Sequence, residues 1–120
     1  MLPLITRDEL RNGIDTGTLV VVDTMPVAYY EREHLPGAVN IPGYPYDDAA
    51  AFTDRHAPDV LPDKSADIVV YCANAPCRNS DFVGARLAQL GYAHVRKYRG
   101  GIEDWVGAGL PTSTSDTSSA

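Results

Sequence analysis

Short apolar runs that alternate with helix-like segments constrain the fold of this chain more than any other feature. Residues 18–23 (TLVVVD) and 67–72 (DIVVYC) are rich in β-branched side chains, which is typical of strands buried on both faces. Residues 94–98 form a third run of this kind. Between the last two, residues 80–90 have the apolar spacing of an amphipathic helix, which Gly91 ends. Strands separated by helices predict an α/β fold, a parallel sheet covered by helices on both faces.

Local signals place the remaining elements. Thr6 and Glu9 have the spacing of a capping box, in which each side chain satisfies a free backbone N–H at a helix start, and we expect this helix to end at Gly13. Gly100 and Gly101 open a last helix, which contains Trp105. Shorter elements are expected at 27–33 (helical), 38–41 (strand) and 49–52 (helical).

The chain length of 120 residues fits one domain with its own core. We expect this domain to cover residues 1–112 and the small polar residues 113–120 (STSDTSSA) to form a disordered tail. The sequence has no apolar stretch long enough for a membrane span, and its start lacks the pattern of a signal peptide. These features predict a cytoplasmic protein with no membrane partner.

Charge and ligand spacing exclude two further classes. A formal net charge of −6 argues against a surface that binds nucleic acid through phosphate neutralisation. The two cysteines and three histidines have none of the spacings of a structural zinc site, so no metal is expected. Two cysteines close together in a reducing compartment are more often catalytic or metal-binding than part of a disulfide scaffold.

Both cysteines lie in one short loop, within residues 69–82 (VVYCANAPCRNSDF). Cys72 ends a predicted buried strand, and a helix begins a few residues later. Backbone N–H groups and the positive end of that helix would face its sulfur, which favours a nucleophilic thiolate. The same amides can hold an oxyanion such as thiosulfate, phosphate or arsenate. A cysteine at a strand end is also a common packing residue.

The other residues of this edge have candidate roles around Cys72. Arg78 would add positive charge to the rim, and Asn74 and Ser80 are potential side-chain donors. Asp23 would support the site from the end of the first strand. Cys77 has three open roles: a rim residue, a resolving thiol that closes a disulfide on Cys72, or a second sulfur acceptor. The predicted anion-binding loop consists of Ala73, Asn74, Ala75, Pro76, Cys77 and Arg78, of which Pro76 lacks an N–H.

Four stretches of the sequence resemble the rhodanese-like domain family. They are residues 20–42 (VVVDTMPVAYYEREHLPGAVNIP), 67–72 (DIVVYC), 87–105 (LAQLGYAHVRKYRGGIEDW) and 108–111 (AGLP). The resemblance implies a five-stranded parallel sheet between helices. It also implies that Cys72 takes sulfur from a small anionic donor such as thiosulfate, holds it as a persulfide, and passes it to a thiol or cyanide-type acceptor, with a protein acceptor as a further candidate. It implies no cofactor.

The sequence departs from the family pattern at the site. Met25 stands where the family usually has arginine, and the loop is two residues longer and carries Cys77. Cys72 and Arg78 also have the Cys-x5-Arg spacing of cysteine phosphatases and arsenate reductases, in which the loop and the arginine clasp a tetrahedral oxyanion. A non-catalytic binding or sensory domain is the third alternative.

Overall fold

The computed structural model describes residues 2–114, in which helices alternate with strands along the chain. No helix within these residues combines the length and the apolar character that a membrane crossing requires. The elements are α1 (Arg7–Thr16), β1 (Val20–Asp23), α2 (Val27–Arg32), β2 (Val39–Asn40), a 3-10 helix (Tyr46–Asp48), α3 (Ala49–Val60), β3 (Asp67–Tyr71), α4 (Asn79–Gln89), β4 (His94–Tyr98) and α5 (Gly101–Gly107).

The strands form one parallel sheet in the order β2-β1-β3-β4. Asp23 pairs with Asn40 on one side and with Tyr71 on the other, and Tyr71 pairs with Tyr98. The carboxyl ends of all four strands therefore meet at one edge of the sheet, which is where open parallel sheets bind their ligands. The predicted α/β class is confirmed.

Two apolar clusters pack on opposite faces of the sheet, because successive side chains of a strand point to opposite sides. Ile68 and Val70 of β3 belong to a cluster completed by α3 and α4. Val69 and Tyr71 belong to the other, which contains Leu10 of α1 and Trp105 of α5. The molecule thus has the three layers, helix, sheet and helix, that the sequence predicted.

The predicted count of five strands is corrected to four, within residues 2–114. A single parallel bridge between Leu4 and Lys97 stands in place of the fifth strand. The Ile5 amide donates to the Lys97 carbonyl (3.1 Å), and the Lys97 amide donates to the Pro3 carbonyl (2.8 Å). This pairing stays short because Pro3 has no N–H and because the helix cap at Thr6 follows at once.

The first helix keeps its predicted start but not its predicted end. Thr6 and Glu9 form the capping box, whereas the helix continues past Gly13 to Thr16 and is ended by Gly17 at a φ of 68°. A Cβ on Gly13 would lie 2.2 Å from the Leu19 side chain, so Gly13 allows a close approach to the following segment. Gly13 therefore allows a packing contact and does not end the helix.

Ordered pairing reaches slightly beyond the predicted domain boundary at residue 112. Ser113 forms an antiparallel bridge with His34: the Ser113 amide donates to the His34 carbonyl (2.8 Å) and the His34 amide donates to that of Ser113 (3.0 Å). This correction moves Ser113 from the predicted tail into the paired part of the chain. Residues 115–120 of that tail lie outside the described residues.

Candidate active site

The two cysteines are joined in a loop that leaves β3 at the carboxyl edge of the sheet. This cysteine loop (residues 72–78) runs from β3 to the start of α4. Cys72 is buried, with 2% of its surface exposed, and Cys77 is part-exposed. Their sulfurs form a disulfide across Cα atoms 6.2 Å apart. Cys77 is therefore bonded to Cys72 instead of lying free at the rim.

The carbonyl groups at the start of the cysteine loop are held by α5. The Ile102 amide donates to the Cys72 carbonyl and the Glu103 amide to the Ala73 carbonyl, both at 3.0 Å. Gly101 makes this approach possible: its φ is 68°, and a Cβ there would lie 2.5 Å from the Cys72 carbonyl oxygen. The glycine pair that the sequence analysis treated as a helix start is thus also part of the site.

With its first carbonyls turned toward α5, the loop leaves most of its amides unused. The Cys77 amide closes a turn onto the Asn74 carbonyl (3.2 Å), and Pro76 has no N–H. Six other amides between residues 73 and 80 donate to no acceptor within residues 2–114. They belong to Ala73, Asn74, Ala75, Arg78, Asn79 and Ser80. The loop thus presents a row of free donors that continues into the first turn of α4, and its role in anion binding stays a prediction.

Ser80 adds an unusual side chain to this row. Its hydroxyl is fully buried and has no hydrogen-bond partner among the described residues. A buried hydroxyl without a partner costs free energy, so such groups commonly have a role in binding. Asn74, the second predicted side-chain donor, instead uses its amide on the Glu103 carboxylate (3.0 Å).

Arg78 and Met25 are the two side chains through which the sequence affects the charge near the Cys72 sulfur. Arg78 is exposed, and its guanidinium carbon lies 5.9 Å from the centre of the Phe82 ring, so it stands at the rim. The sulfur of Met25, which replaces the family's usual arginine, lies 3.6 Å from the Cys72 sulfur. The immediate neighbour of Cys72 on this side is thus an uncharged thioether, so backbone N–H groups would have to supply the positive potential near the sulfur.

Asp23 lies at the end of β1, paired with Tyr71 at the end of β3, and its supporting role stays a prediction. Its buried carboxylate accepts hydrogen bonds from the Tyr71 hydroxyl (2.6 Å) and the Met25 amide (2.7 Å). Burial raises the pKa of Asp23 to about 6, although both hydrogen bonds act in the opposite direction. Burial and the adjacent Asp23 carboxylate raise the pKa of Tyr71, so its hydroxyl remains a donor. That hydroxyl also accepts from the Leu35 amide (3.0 Å).

Two asparagines that sequence reasoning missed tie the neighbouring segments together. The Asn40 side chain donates to the carbonyls of Asp23 (3.0 Å) and Met25 (2.9 Å). The Asn79 side chain donates to the Thr24 carbonyl (2.9 Å), which fixes the start of α4 against the end of β1. An asparagine directly before a predicted helix was the available signal for Asn79, since this residue type commonly bonds loop backbone.

Comparison with known proteins defines the class to which this fold and site belong. The family model for the rhodanese-like domain matches residues 6–108. The chain belongs to the rhodanese-like domain family.

Three relatives illustrate the similarity. The chain is 36% identical over 107 residues to the HTH-type transcriptional regulator Rv0324 of Mycobacterium tuberculosis, covering 89% of this chain and 43% of the regulator. It is 35% identical over 83 residues to the thiosulfate sulfurtransferase PspE of Escherichia coli, covering 69% of this chain and 70% of that enzyme. The solution NMR structure of the rhodanese-like domain of Alr3790 from Anabaena has a TM-score of 0.74 and 28% identity, covering 95% of this chain and 80% of that one. The chain thus spans less than half the length of the mycobacterial regulator.

Proposed function

We propose that this protein transfers sulfane sulfur from a small anionic donor such as thiosulfate to a thiophilic acceptor through a persulfide on Cys72. The observation that carries the proposal is the row of free amides and the unpartnered Ser80 hydroxyl beside a buried strand-end cysteine. Membership of the rhodanese-like family and similarity to a thiosulfate sulfurtransferase support the same assignment.

The proposed reaction begins with the reduced cysteine pair. The Cys72 thiolate attacks the outer sulfur of thiosulfate, the S–S bond of the donor breaks, and sulfite leaves with the bonding electron pair. The persulfide that remains on Cys72 passes its outer sulfur to cyanide or a thiolate, which regenerates the Cys72 thiolate. No cofactor takes part in either step.

The loop would stabilise the charges of this reaction mainly through backbone N–H groups. Free amides of the cysteine loop and the first turn of α4 would hold the sulfonate oxygens of the donor and the anionic persulfide. The chain as a whole carries a net charge of −6, which repels anions. Arg78 at the rim would provide the local positive charge that attracts the donor. The disulfide must first be opened by a thiol reductant, which fits the reducing conditions of the cytoplasm.

A binding or sensory domain is the second candidate. It is favoured by the similarity to an HTH-type transcriptional regulator, of which the chain covers only a part. Such a domain would bind the same anions but would not turn over. The phosphatase or arsenate reductase alternative is less favoured, because Arg78 is exposed and packs against Phe82, whereas that chemistry uses its arginine to clasp the anion.

The test is sulfite release from thiosulfate, with cyanide as the acceptor and a dithiol reductant present to keep Cys72 and Cys77 reduced. Wild type should release sulfite continuously, and Cys72→Ser should release none while keeping the melting temperature of reduced wild type. Sulfite release by Cys72→Ser at the wild-type rate would refute the proposal. Thiosulfate binding without release would assign the protein to the sensory alternative, and hydrolysis of p-nitrophenyl phosphate would assign it to the phosphatases.

A further inference from the structure

We propose that Cys77 is a second catalytic thiol, which attacks the persulfide on Cys72, releases sulfide and closes the Cys72–Cys77 disulfide. This inference rests on the proposed function and extends it. The protein would then reduce sulfane sulfur to sulfide at the expense of an external dithiol, in addition to passing sulfur to acceptors.

The fold brings the two sulfurs into bonding contact in a loop whose Cys72 end is held by α5. The disulfide joins Cα atoms 6.2 Å apart, within the range that disulfides accept. The Cys72 end is held by the Ile102 and Glu103 amides, and the turn from Asn74 to Cys77 is closed by a hydrogen bond of 3.2 Å. Since Pro76 limits the backbone just before Cys77, little conformational freedom is lost when the bond forms.

Proximity also favours Cys77 over external acceptors. A thiol held in the same loop acts at an effective concentration far above that of any small acceptor in solution. The disulfide shows that the loop places the Cys77 sulfur next to that of Cys72. A persulfide formed on Cys72 therefore meets this thiol before it meets cyanide or a free thiolate.

The resolving step is balanced without any further oxidant. The Cys77 thiolate attacks the Cys72 sulfur, the bond between that sulfur and the outer sulfur breaks, and the outer sulfur leaves as hydrosulfide with the electron pair. The outer sulfur is reduced to sulfide, and the two cysteine thiols are oxidised to the disulfide. A dithiol reductant then opens the disulfide and is itself oxidised to a disulfide.

The exposure of the two cysteines determines which sulfur of the disulfide the reductant attacks. Cys77 is part-exposed, whereas only 2% of the Cys72 surface is exposed. A reductant therefore reaches the Cys77 sulfur and forms the mixed disulfide there. Cys72 is released as the thiolate that faces the free amides, ready for the next donor molecule.

The experiment is a single turnover without cyanide or free reductant. Wild type, Cys77→Ser and Cys72→Ser are reduced, freed of reductant under anaerobic conditions and mixed with excess thiosulfate. Sulfite, sulfide, free thiols and intact protein mass are then measured. Repeating the reaction at several protein concentrations separates an intramolecular step from exchange between molecules.

Wild type should release equal amounts of sulfite and sulfide, lose both thiols and become lighter by two hydrogen atoms, independently of protein concentration. Cys77→Ser should release sulfite but no sulfide and become heavier by one sulfur atom. Cys77→Ala should behave in the same way, which excludes an effect of the introduced hydroxyl. Cys72→Ser should release neither product.

The outcomes separate this inference from the function on which it rests. If wild type releases sulfite and retains the additional sulfur, as Cys77→Ser does, Cys77 is not a resolving thiol and the proposed sulfur transfer stands. If neither wild type nor Cys77→Ser releases sulfite, the proposed function itself is refuted, and the inference with it.

Discussion

Two loops leave the same edge of the sheet and use their hydrogen-bonding groups in opposite ways. In the β1 loop (residues 23–26), the Thr24 amide (3.0 Å) and hydroxyl (2.7 Å) both donate to the Tyr71 carbonyl, and the Thr24 carbonyl accepts from Asn79. In the cysteine loop, the first carbonyls are bonded to α5 but most amides have no acceptor within residues 2–114. The polar groups of the β1 loop are thus paired with other parts of the protein, whereas the cysteine loop has N–H donors left for a ligand.

This difference separates positioning from binding. Buried polar groups that are fully paired stabilise one arrangement of the strand ends. A buried group without a partner, such as the Ser80 hydroxyl, costs stability until a ligand provides the missing hydrogen bond. The β1 loop, Asp23 and the two asparagines therefore form the support. The cysteine loop and Ser80 form the surface against which an anion would bind.

The largest expected effect comes from the residue that lets the cysteine loop approach α5. Gly101→Ala places a Cβ 2.5 Å from the Cys72 carbonyl oxygen at a φ of 68°. The left-handed conformation alone costs alanine about 1–2 kcal/mol, and the loop must also shift. We expect unfolding free energy to fall by about 3 kcal/mol and sulfite release to fall more than about tenfold.

Gly109→Ala is the matched control for this substitution. Gly109 has a φ of 77°, but no atom lies within 4 Å of the place that a Cβ would take, so the substitution carries only the conformational cost. Denaturant unfolding and sulfite release should show a smaller loss of stability and normal turnover. Equal effects of the two substitutions would mean that the contact with the cysteine loop is unimportant.

The next effect concerns the support, and it depends on pH. Because folding raises the pKa of Asp23 to about 6, the folded state binds a proton that the unfolded chain has already released. The stability from this protonation is complete below about pH 4 and is lost as pH rises through 6. Asp23→Asn cannot titrate at this position, so its unfolding free energy should rise relative to that of wild type by about 2 kcal/mol between pH 4 and 7.

Urea unfolding of both proteins across this pH range measures the gain. Tyr71→Phe provides a second reading, because it removes a hydrogen bond that lowers the pKa of Asp23. The decline in stability should therefore continue to a higher pH in Tyr71→Phe than in wild type. Parallel stability profiles of wild type and Asp23→Asn would contradict a raised pKa for this carboxyl.

Much of the fold and part of the site follow from the sequence, because both depend on alternating elements and on strand ends. Buried apolar runs separated by helices predicted the parallel sheet, and the register then brought Asp23 and Cys72 to one edge. The place of Cys72 directly after a buried strand and shortly before a helix was also predicted. Its role as a nucleophile stays a prediction.

What the sequence did not predict depends on contacts between distant segments. The bonds from Asn40 and Asn79 to the β1 loop arise from strand register and from the packing of α4, neither of which residue spacing encodes. The closeness of Gly13 to Leu19 and of Gly101 to Cys72 is likewise a property of the packed chain. The position of Arg78 is determined by its contact with Phe82, so charge alone could not locate it.

Two buried hydroxyls can be compared directly, one in the β1 loop and one in the first turn of α4, next to the cysteine loop. The Thr24 hydroxyl is paired with the Tyr71 carbonyl, and the Ser80 hydroxyl has no partner among the described residues. Thr24→Val should lower unfolding free energy by about 1 kcal/mol, whereas Ser80→Ala should leave it unchanged or raise it by up to about 1 kcal/mol. Ser80→Ala should also raise the KM for thiosulfate.

Chemical denaturation and steady-state kinetics of the two variants test this difference. A loss of stability in Ser80→Ala as large as that in Thr24→Val would show that the Ser80 hydroxyl contributes to folding. An unchanged KM would remove Ser80 from the anion-binding surface and would leave the backbone amides as its only donors.

The smallest effect is expected at the rim. Arg78 is exposed and its guanidinium lies over the Phe82 ring, so Arg78→Ala should change unfolding free energy by less than about 0.5 kcal/mol. It should raise the KM for thiosulfate a few-fold at low salt, and the difference from wild type should shrink at high salt as the charge is screened. Arg55→Ala, an exposed arginine on α3, makes the same change in net charge away from the cysteine loop. If Arg55→Ala raises the KM as much as Arg78→Ala, the change in net charge explains the effect, and if only Arg78→Ala does, the rim position of Arg78 is responsible.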